Sequence, residues 1–256
     1  MMMYYYVMFF IVGTIFGSYF NLVATRIPMG KSTVTPRSHC ENCNHQLKWY
    51  ELIPILSFII QKGKCRNCHA ELSVNYLLTE LFTGILFVVS FYSFKFSYDL
   101  IIALTLCSTL ILIIVSDLNY LIIPDRFIII PSIIIFIVTI VSRGIQNALI
   151  QVGYGVISFA IMYLVMLLGN FLFKKESLGG ADIKLMFLVG LTLNPMLSII
   201  VIFLASFIAL PISLILLVKN KEHVIPYGPF LMIGFLIVFF MKMEVSEIFE
   251  MVLHLF

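Results

Sequence analysis

The chain has 256 residues, of which 61% are hydrophobic and 11% charged, with a formal net charge of +3 and a mean hydropathy of +1.08. Soluble globular domains carry about 25% charged residues, so this composition excludes that class and leaves a protein whose solvent is the bilayer. The small positive charge reads as a topology signal and gives no reason to expect a nucleic-acid partner.

Inside a bilayer every backbone polar group must be satisfied within the segment, which restricts spans to helices or a closed barrel. The apolar runs here are too long and too uniform for alternating barrel strands. The expected fold is therefore an all-α polytopic membrane protein. With about 20 apolar residues per span as the yardstick, about eight spans are predicted. They fall near Tyr4–Val23, Asn75–Phe94, Tyr98–Ser116, Arg126–Ser142, Leu149–Phe173 and Met196–Val218, with shorter ones near Asp182–Leu193 and Pro226–Met241. Asn194 and Pro195 interrupt the Asp182 run, so that segment is marginal as a span and is expected to be tilted, re-entrant or partly buried in the bundle, with seven spans as the alternative.

The first run has no Lys or Arg ahead of it, unlike a cleaved signal peptide, and is expected to stay as a span. Within it Gly13 and Gly17 have the spacing that lets a neighbouring helix approach closely. Glycine is also common in membrane helices, so a chance pair explains the spacing equally well. The predicted organisation is a first transmembrane helix over 1–23, a cysteine-rich loop over 24–74 and a multi-helix membrane domain over 75–256.

Lys and Arg placement sets orientation. With the loop after the first span in the cytoplasm, thirteen of the sixteen Lys and Arg residues fall inside, among them Lys175, Lys184, Lys219 and Lys221; Lys95, Arg143 and Lys242 are the exceptions. The amino terminus is then outside, and Asp117, Asp125 and Asp182 all lie at the cytoplasmic membrane edge.

The loop holds four of the five cysteines, as Cys40-x2-Cys43 and Cys65-x2-Cys68 separated by 21 residues. Two such pairs match a zinc ribbon, in which four thiolates surround one ion and leave no open position for catalysis. Disulfides would need an oxidising compartment, which the charge topology denies. A segment this small buries little apolar surface, and a structural metal would supply the missing stabilisation. His39, His45 and His69 flank the cysteines and read as solvated loop residues, while Cys107 in the third span reads as apolar packing.

Carboxylates at the ends of membrane spans are costly and mark functional sites. In SDLNYLIIPD, Asp117 ends one helix and Asp125 follows Pro124 at the start of the next, where an aspartate serves as a helix cap as readily as a catalyst. In KKESLGGADIKLMF, Gly179 and Gly180 lead through Ala181 into Asp182, and small residues let the backbone approach an extended peptide. If Asp117 and Asp182 meet across a helix interface, their charges cannot both be fully ionised, and one pKa rises while the other falls. That pairing is suited to acid–base hydrolysis. A transporter relaying ions or protons through these acids is the alternative, but no repeated halves with matching broken helices are found.

These segments resemble the type IV prepilin leader peptidases, membrane-embedded aspartic proteases. FGSYFNLVATRIP, from Phe16 to Pro28, looks like the family's FGSFLNVVIYRLP. SHCENCNHQLKWYELIPILS and GKCRNCHAELSVNYLLTELFTG look like its cysteine-rich loop and the span after it. SDLNYLIIPD is similar to IDLDxxLLPD, GGADIKL to the G-x-G-D block and IPYGPFLMIG to IPFGPFLAxG. The departures are Glu41 in place of a proline, Leu77 in place of a proline after Tyr76, and Ala181 in place of the second glycine of G-x-G-D.

The resemblance implies an endopeptidase that cuts the short basic leader from prepilin or pseudopilin precursors at the cytoplasmic face of the bacterial cell membrane. It would serve a pilus, type II secretion or DNA-uptake machine. Carried over by position, Asp117 and Asp182 are the catalytic pair, with Gly179, Gly180, Ala181, Asp125, Lys184 and Glu80 in support. Glu80, inside the second span, is expected either to bind a substrate or cofactor amine or to pair with a basic loop residue. Gly228 is expected to shape the turn opening the last span. Cys40, Cys43, Cys65 and Cys68 are the expected zinc ligands. Many members also methylate the new amino terminus with S-adenosylmethionine, so that activity is expected here from resemblance alone.

Overall fold

The computed structural model describes residues 2–40, 42–174, 178–218 and 226–242. Glu41, Lys175, Lys219 and Lys221, used in reading the sequence, lie outside the described residues. Outside the cysteine loop the described residues are mostly helical, and among the described residues the only β pairing is two isolated bridges in that loop. It divides into two compact units, Met1–Tyr120 and Leu121–Phe256, a different partition from one drawn at the cysteine loop.

The first unit contains α1 (Met2–Arg26), a 3-10 turn (Trp49–Leu52), the short α2 (Leu56–Ile60), α3 (Val74–Phe94) and α4 (Tyr98–Tyr120). α3 opens on Ser73, whose hydroxyl accepts from the Asn75 amide, the usual service of a serine at an N-cap. α1 and α3 run antiparallel: Lys95 donates to the Tyr6 hydroxyl at one end (3.1 Å) and Asn21 to Thr79 near the other (3.1 Å). Lipid tails are as apolar as the side chains, so close backbone packing must hold such helices together. Gly13 and Gly17 serve that packing. A Cβ on Gly13 would sit 2.8 Å from the Gly84 Cα, and one on Gly17 2.9 Å from the Glu80 Cα, so the glycine spacing is an interface and not a chance pair. Phe9 stacks on Phe91 at 4.5 Å and 13°, closing the end away from the cysteine loop. α4 returns alongside α3, with Cys107 fully buried against the Ser90 hydroxyl (3.5 Å). α4 runs three residues past Asp117, which therefore lies in its last turn and does not terminate it.

The second unit contains α5 (Arg126–Arg143), α6 (Ile145–Phe173), α7 (Gly180–Gly190), α8 (Pro195–Val218) and α9 (Gly228–Met241). Gly144, at φ 84°, joins α5 to α6 in a conformation that favours glycine, and Thr139 donates to Gln151 (3.1 Å) across the turn. α7 has 11 residues, about 16 Å of helix, too short to cross the roughly 30 Å hydrocarbon core. It is buried inside its unit, with Leu185, Met186, Leu188 and Val189 fully covered. Gly190 allows this: a Cβ there would lie 2.5 Å from the Tyr154 carbonyl of α6. Asn194 then accepts from the Leu197 amide (2.9 Å) and caps α8, whose first residue is Pro195, so the break read from the sequence is a helix start. Ser158 donates to Ser198 (2.9 Å), tying α6 to α8.

Among the described residues, six helices are long and apolar enough to cross a membrane: α1, α3, α4, α5, α6 and α8. α7 and α9 are the two shorter ones, close to the predicted eight. Gly228 and Pro229 open α9 as the turn reading expects.

Candidate active site and cysteine cluster

The four loop cysteines converge, with all four sulfurs within 4.8 Å of one another. Cys40 and Cys68 Sγ are 3.8 Å apart, and Cys43 and Cys65 Sγ 4.0 Å. An ion about 2.3 Å from each of four tetrahedral sulfurs requires sulfur–sulfur distances of about 3.8 Å, so the set fits one such metal. No disulfide joins them.

The two halves repeat one local design. In each, the amide of the residue after the second cysteine donates to the first cysteine's carbonyl, from Asn44 to Cys40 and from His69 to Cys65. Both donors have positive φ, 55° and 57°, which turns the chain so that both sulfurs face one point. The halves also brace each other: Asn42 Nδ2 donates to Cys68 Sγ (3.7 Å) and Asn67 Nδ2 to Cys43 Sγ (3.6 Å). Donors to coordinating sulfur orient and stabilise the thiolates. Sequence reasoning missed both asparagines, although the shared spacing Cys-x-Asn-Cys in the two pairs carried the signal.

His39 and His69 are loop residues, His39 facing the Arg37 carbonyl. His45 is more than that, since its Nε2 lies 3.4 Å from the buried Glu51 carboxylate. Glu51 also accepts from the Lys48 amide (2.8 Å). That bond, helped by His45, holds the Glu51 carboxyl below the usual carboxylate range despite burial.

Glu80 bonds to the backbone of the cysteine loop, a contact the sequence reading did not include. Its carboxylate, buried in α3, accepts from the Ile55 backbone amide of the cysteine loop (2.7 Å) and from the Ser18 hydroxyl of α1.

Asp117 is 6% exposed, in the last turn of α4. Because α1 and α3 are antiparallel and α4 returns along α3, this turn lies at the end of the first unit where α1 finishes and α3 begins. The cysteine loop emerges from that same end.

Asp182 is also 6% exposed, in the first turn of α7 in the second unit. Its carboxylate folds back over the N-cap residue: a Cβ on Gly179 would lie 3.2 Å from Asp182 Oδ2. Gly180 has open space where a Cβ would go. The glycines are thus unequal, one clearing room for the carboxylate and the other not. Ala181 occupies the helix without a positive φ, so the departure from G-x-G-D needs no glycine freedom.

Asp125 sits at the N-cap position of α5, yet its side chain makes no capping bond. Its Oδ1 instead accepts from Lys184 Nζ at 2.6 Å, with side chains 58% and 51% exposed. The helix-cap reading is corrected accordingly: the carboxylate reaches across to the Lys184 ammonium on α7 in place of the amides of its own helix. The bond also shows that the starts of α5 and α7, and so Asp125 and Asp182, share one end of the unit. Asp125 and Lys184 line a cleft of about 320 Å³ with Ile128, Ile129, Phe159 and Phe187. The expected catalytic aspartates therefore belong one to each unit, each buried in a terminal helical turn.

Two family models cover most of the chain: the bacterial peptidase A24 N-terminal domain over residues 11–94 and the type IV leader peptidase family over residues 104–214. The prepilin leader peptidase/N-methyltransferase of Bacillus subtilis is 34% identical over 185 residues, 72% of this chain and 72% of that protein. The protein of the same name from Myxococcus xanthus is 36% identical over 187 residues, which span 72% of this chain and 55% of the relative. The one from Vibrio cholerae is 28% identical over 252 residues, 92% and 96% of the two chains. No solved structure matches the chain. A helical membrane architecture, a four-cysteine loop, two buried terminal-turn aspartates and these matches together place the chain in the type IV leader peptidase family.

Proposed function

We propose that the chain is a membrane aspartic endopeptidase that removes the short basic leader of prepilin or pseudopilin precursors, with Asp117 and Asp182 as its catalytic pair. The observation that carries the proposal is the burial of both carboxylates, each in a helical turn at one end of its own unit, in a chain of this family. One aspartate, ionised, takes a proton from the attacking water. The other, protonated, polarises the scissile carbonyl and then donates its proton to the departing amine. Gly179 leaves space for the Asp182 carboxylate, and the Asp125–Lys184 pair holds the neighbouring helix starts together. The family does not favour the transporter alternative.

Lys and Arg asymmetry supports placing the cysteine loop and the active end in the cytoplasm, in the bacterial cell membrane. There Cys40, Cys43, Cys65 and Cys68 would hold a structural zinc, whose contribution is to close the loop. The relatives' names include N-methyltransferase, which supports methylation of the new amino terminus from S-adenosylmethionine; no residue is assigned to that donor.

The test is cleavage of a pilin-like precursor by the purified protein with S-adenosylmethionine present, read by mass spectrometry. Loss of the leader is expected, and a further methyl mass if both activities are present. Asp117→Asn and Asp182→Asn should each lower cleavage by at least about 10²-fold, the low end of acid–base contributions. Full turnover by either variant, with normal folding, would remove that residue from the pair.

A further inference from the structure

The segment joining the two cysteine pairs has an exposed apolar surface that the metal cluster does not explain. Trp49, Leu56, Ile59 and Ile60 are 77%, 57%, 61% and 68% exposed, and Leu52 and Ile53 are also exposed. Patches of this kind mark an interaction surface. Basic residues frame it, with Lys48 at its start and Lys62, Lys64 and Arg66 at its end, all exposed, while its one acid, Glu51, is buried.

The depth of the segment says what covers it. Its chain reverses at Ile55, where Leu56 N donates to the Pro54 carbonyl (2.6 Å) around φ 61° and ψ −55°. This is the γ-turn, a rare and strained conformation, here with a β-branched residue at its centre. The turn aims the Ile55 amide at Glu80. α3 has 21 residues and is about 31 Å long, matching the hydrocarbon thickness of about 30 Å. Glu80 lies six residues in from Val74, about 9 Å along the axis, and helical side chains tilt back toward the N-terminal end. A backbone amide bonded to that carboxylate is held at membrane level, below the start of the span. Tryptophan, aliphatic residues and flanking lysines are the composition of a segment lying in the headgroup and upper acyl region.

We infer that Trp49–Ile60 is an interfacial membrane anchor, seated among lipids with its basic flanks on anionic headgroups and moored to α3 by the Glu80–Ile55 hydrogen bond. The cysteine loop is then not a free soluble module: its middle is in the bilayer, and only the metal cluster stands in water. The inference needs α3 to cross a membrane and is independent of the peptidase reading.

Trp49 is the only tryptophan in the chain, so its fluorescence reports the segment directly. The full chain is reconstituted in phosphatidylcholine–phosphatidylglycerol vesicles whose phosphatidylcholine is brominated on the upper acyl carbons. Trp49 emission should fall about twofold or more relative to unbrominated vesicles, with little quenching by aqueous iodide. Iodide quenching without bromolipid quenching would overturn the anchor. Trp49→Phe combined with Ile59→Trp moves the probe into α2 and should show bromolipid quenching at least as strong; an iodide-accessible Trp there also refutes the proposal. Glu80→Gln keeps an acceptor for the Ile55 amide and should retain the quenching, whereas Glu80→Ala should lose about half of it. Equal behaviour of the two variants would remove the mooring role.

Discussion

Replacing Gly179 by alanine isolates the placement of one carboxylate. Gly179 has φ −71° and ψ 141°, an extended conformation that alanine adopts freely, so the substitution introduces no backbone strain. Its added methyl would lie 3.2 Å from Asp182 Oδ2 and 3.9 Å from the Asp182 Cγ, closer to the oxygen than ordinary contact allows. Asp182 is buried, and its carboxylate must give by a few tenths of an ångström. A displacement of about 1 Å at a reacting group costs up to about 10²-fold, so a shift of this size should lower kcat/KM about tenfold, or ~1.4 kcal/mol of transition-state stabilisation. Gly180→Ala supplies the control. Nothing lies within 4 Å of its Cβ position, and alanine for glycine in a helix is worth roughly 0.5–1 kcal/mol of stability. The assay is cleavage of a pilin-like precursor at several concentrations, with thermal unfolding of both variants measured alongside. Full activity for Gly179→Ala, or equal losses for the two variants, would refute the claim that the first glycine makes room for the carboxylate.

Three further outcomes are expected. Asp125→Asn and Lys184→Ala each break an exposed ion pair, and each should change stability by less than about 1 kcal/mol in unfolding measurements while leaving precursor cleavage detectable. The purified protein should carry one metal per chain by elemental analysis, lost on chelation or in Cys40→Ser; Asn42→Ala or Asn67→Ala should weaken binding about tenfold by removing a donor to coordinating sulfur. Glu51 has a depressed folded pKa, so its contribution is present above the unfolded value of about 4.3 and is lost as pH falls through the lower folded value. Hydrogen-exchange protection factors around Tyr50–Leu52, corrected for the intrinsic pH dependence of exchange, should therefore be flat from neutrality to about pH 5 and fall in stronger acid, and Glu51→Gln should abolish that acid step.

Much of the molecule was legible in one dimension. Hydrocarbon-length runs found the six long spans because a membrane helix needs only its own backbone and an apolar surface, both local properties. The Cys-x2-Cys spacing likewise marked the sulfur cluster, since each turn is built from adjacent residues. The proposed catalytic aspartates drew notice as costly residues at span ends. Glu80 was singled out for its place inside a span, but its bond to the Ile55 amide was not foreseeable: that amide is 25 residues away and carries no side-chain signature.

What the sequence determined by itself was membership in the membrane class, the positions of the long spans and the four-sulfur set. Tertiary structure decided their relations. It made α7 a buried half-length helix, because Gly190 lets it enter against α6. It turned Gly13 and Gly17 from an ambiguous spacing into the seam with α3, and drew the Asp125 carboxylate from its cap position to Lys184. It also revealed Asn42 and Asn67 as cross-braces. The physical reason is common to all of these. A buried polar group or an absent side chain is settled by whichever neighbour can reach it, and that neighbour is supplied by packing between segments distant in the chain.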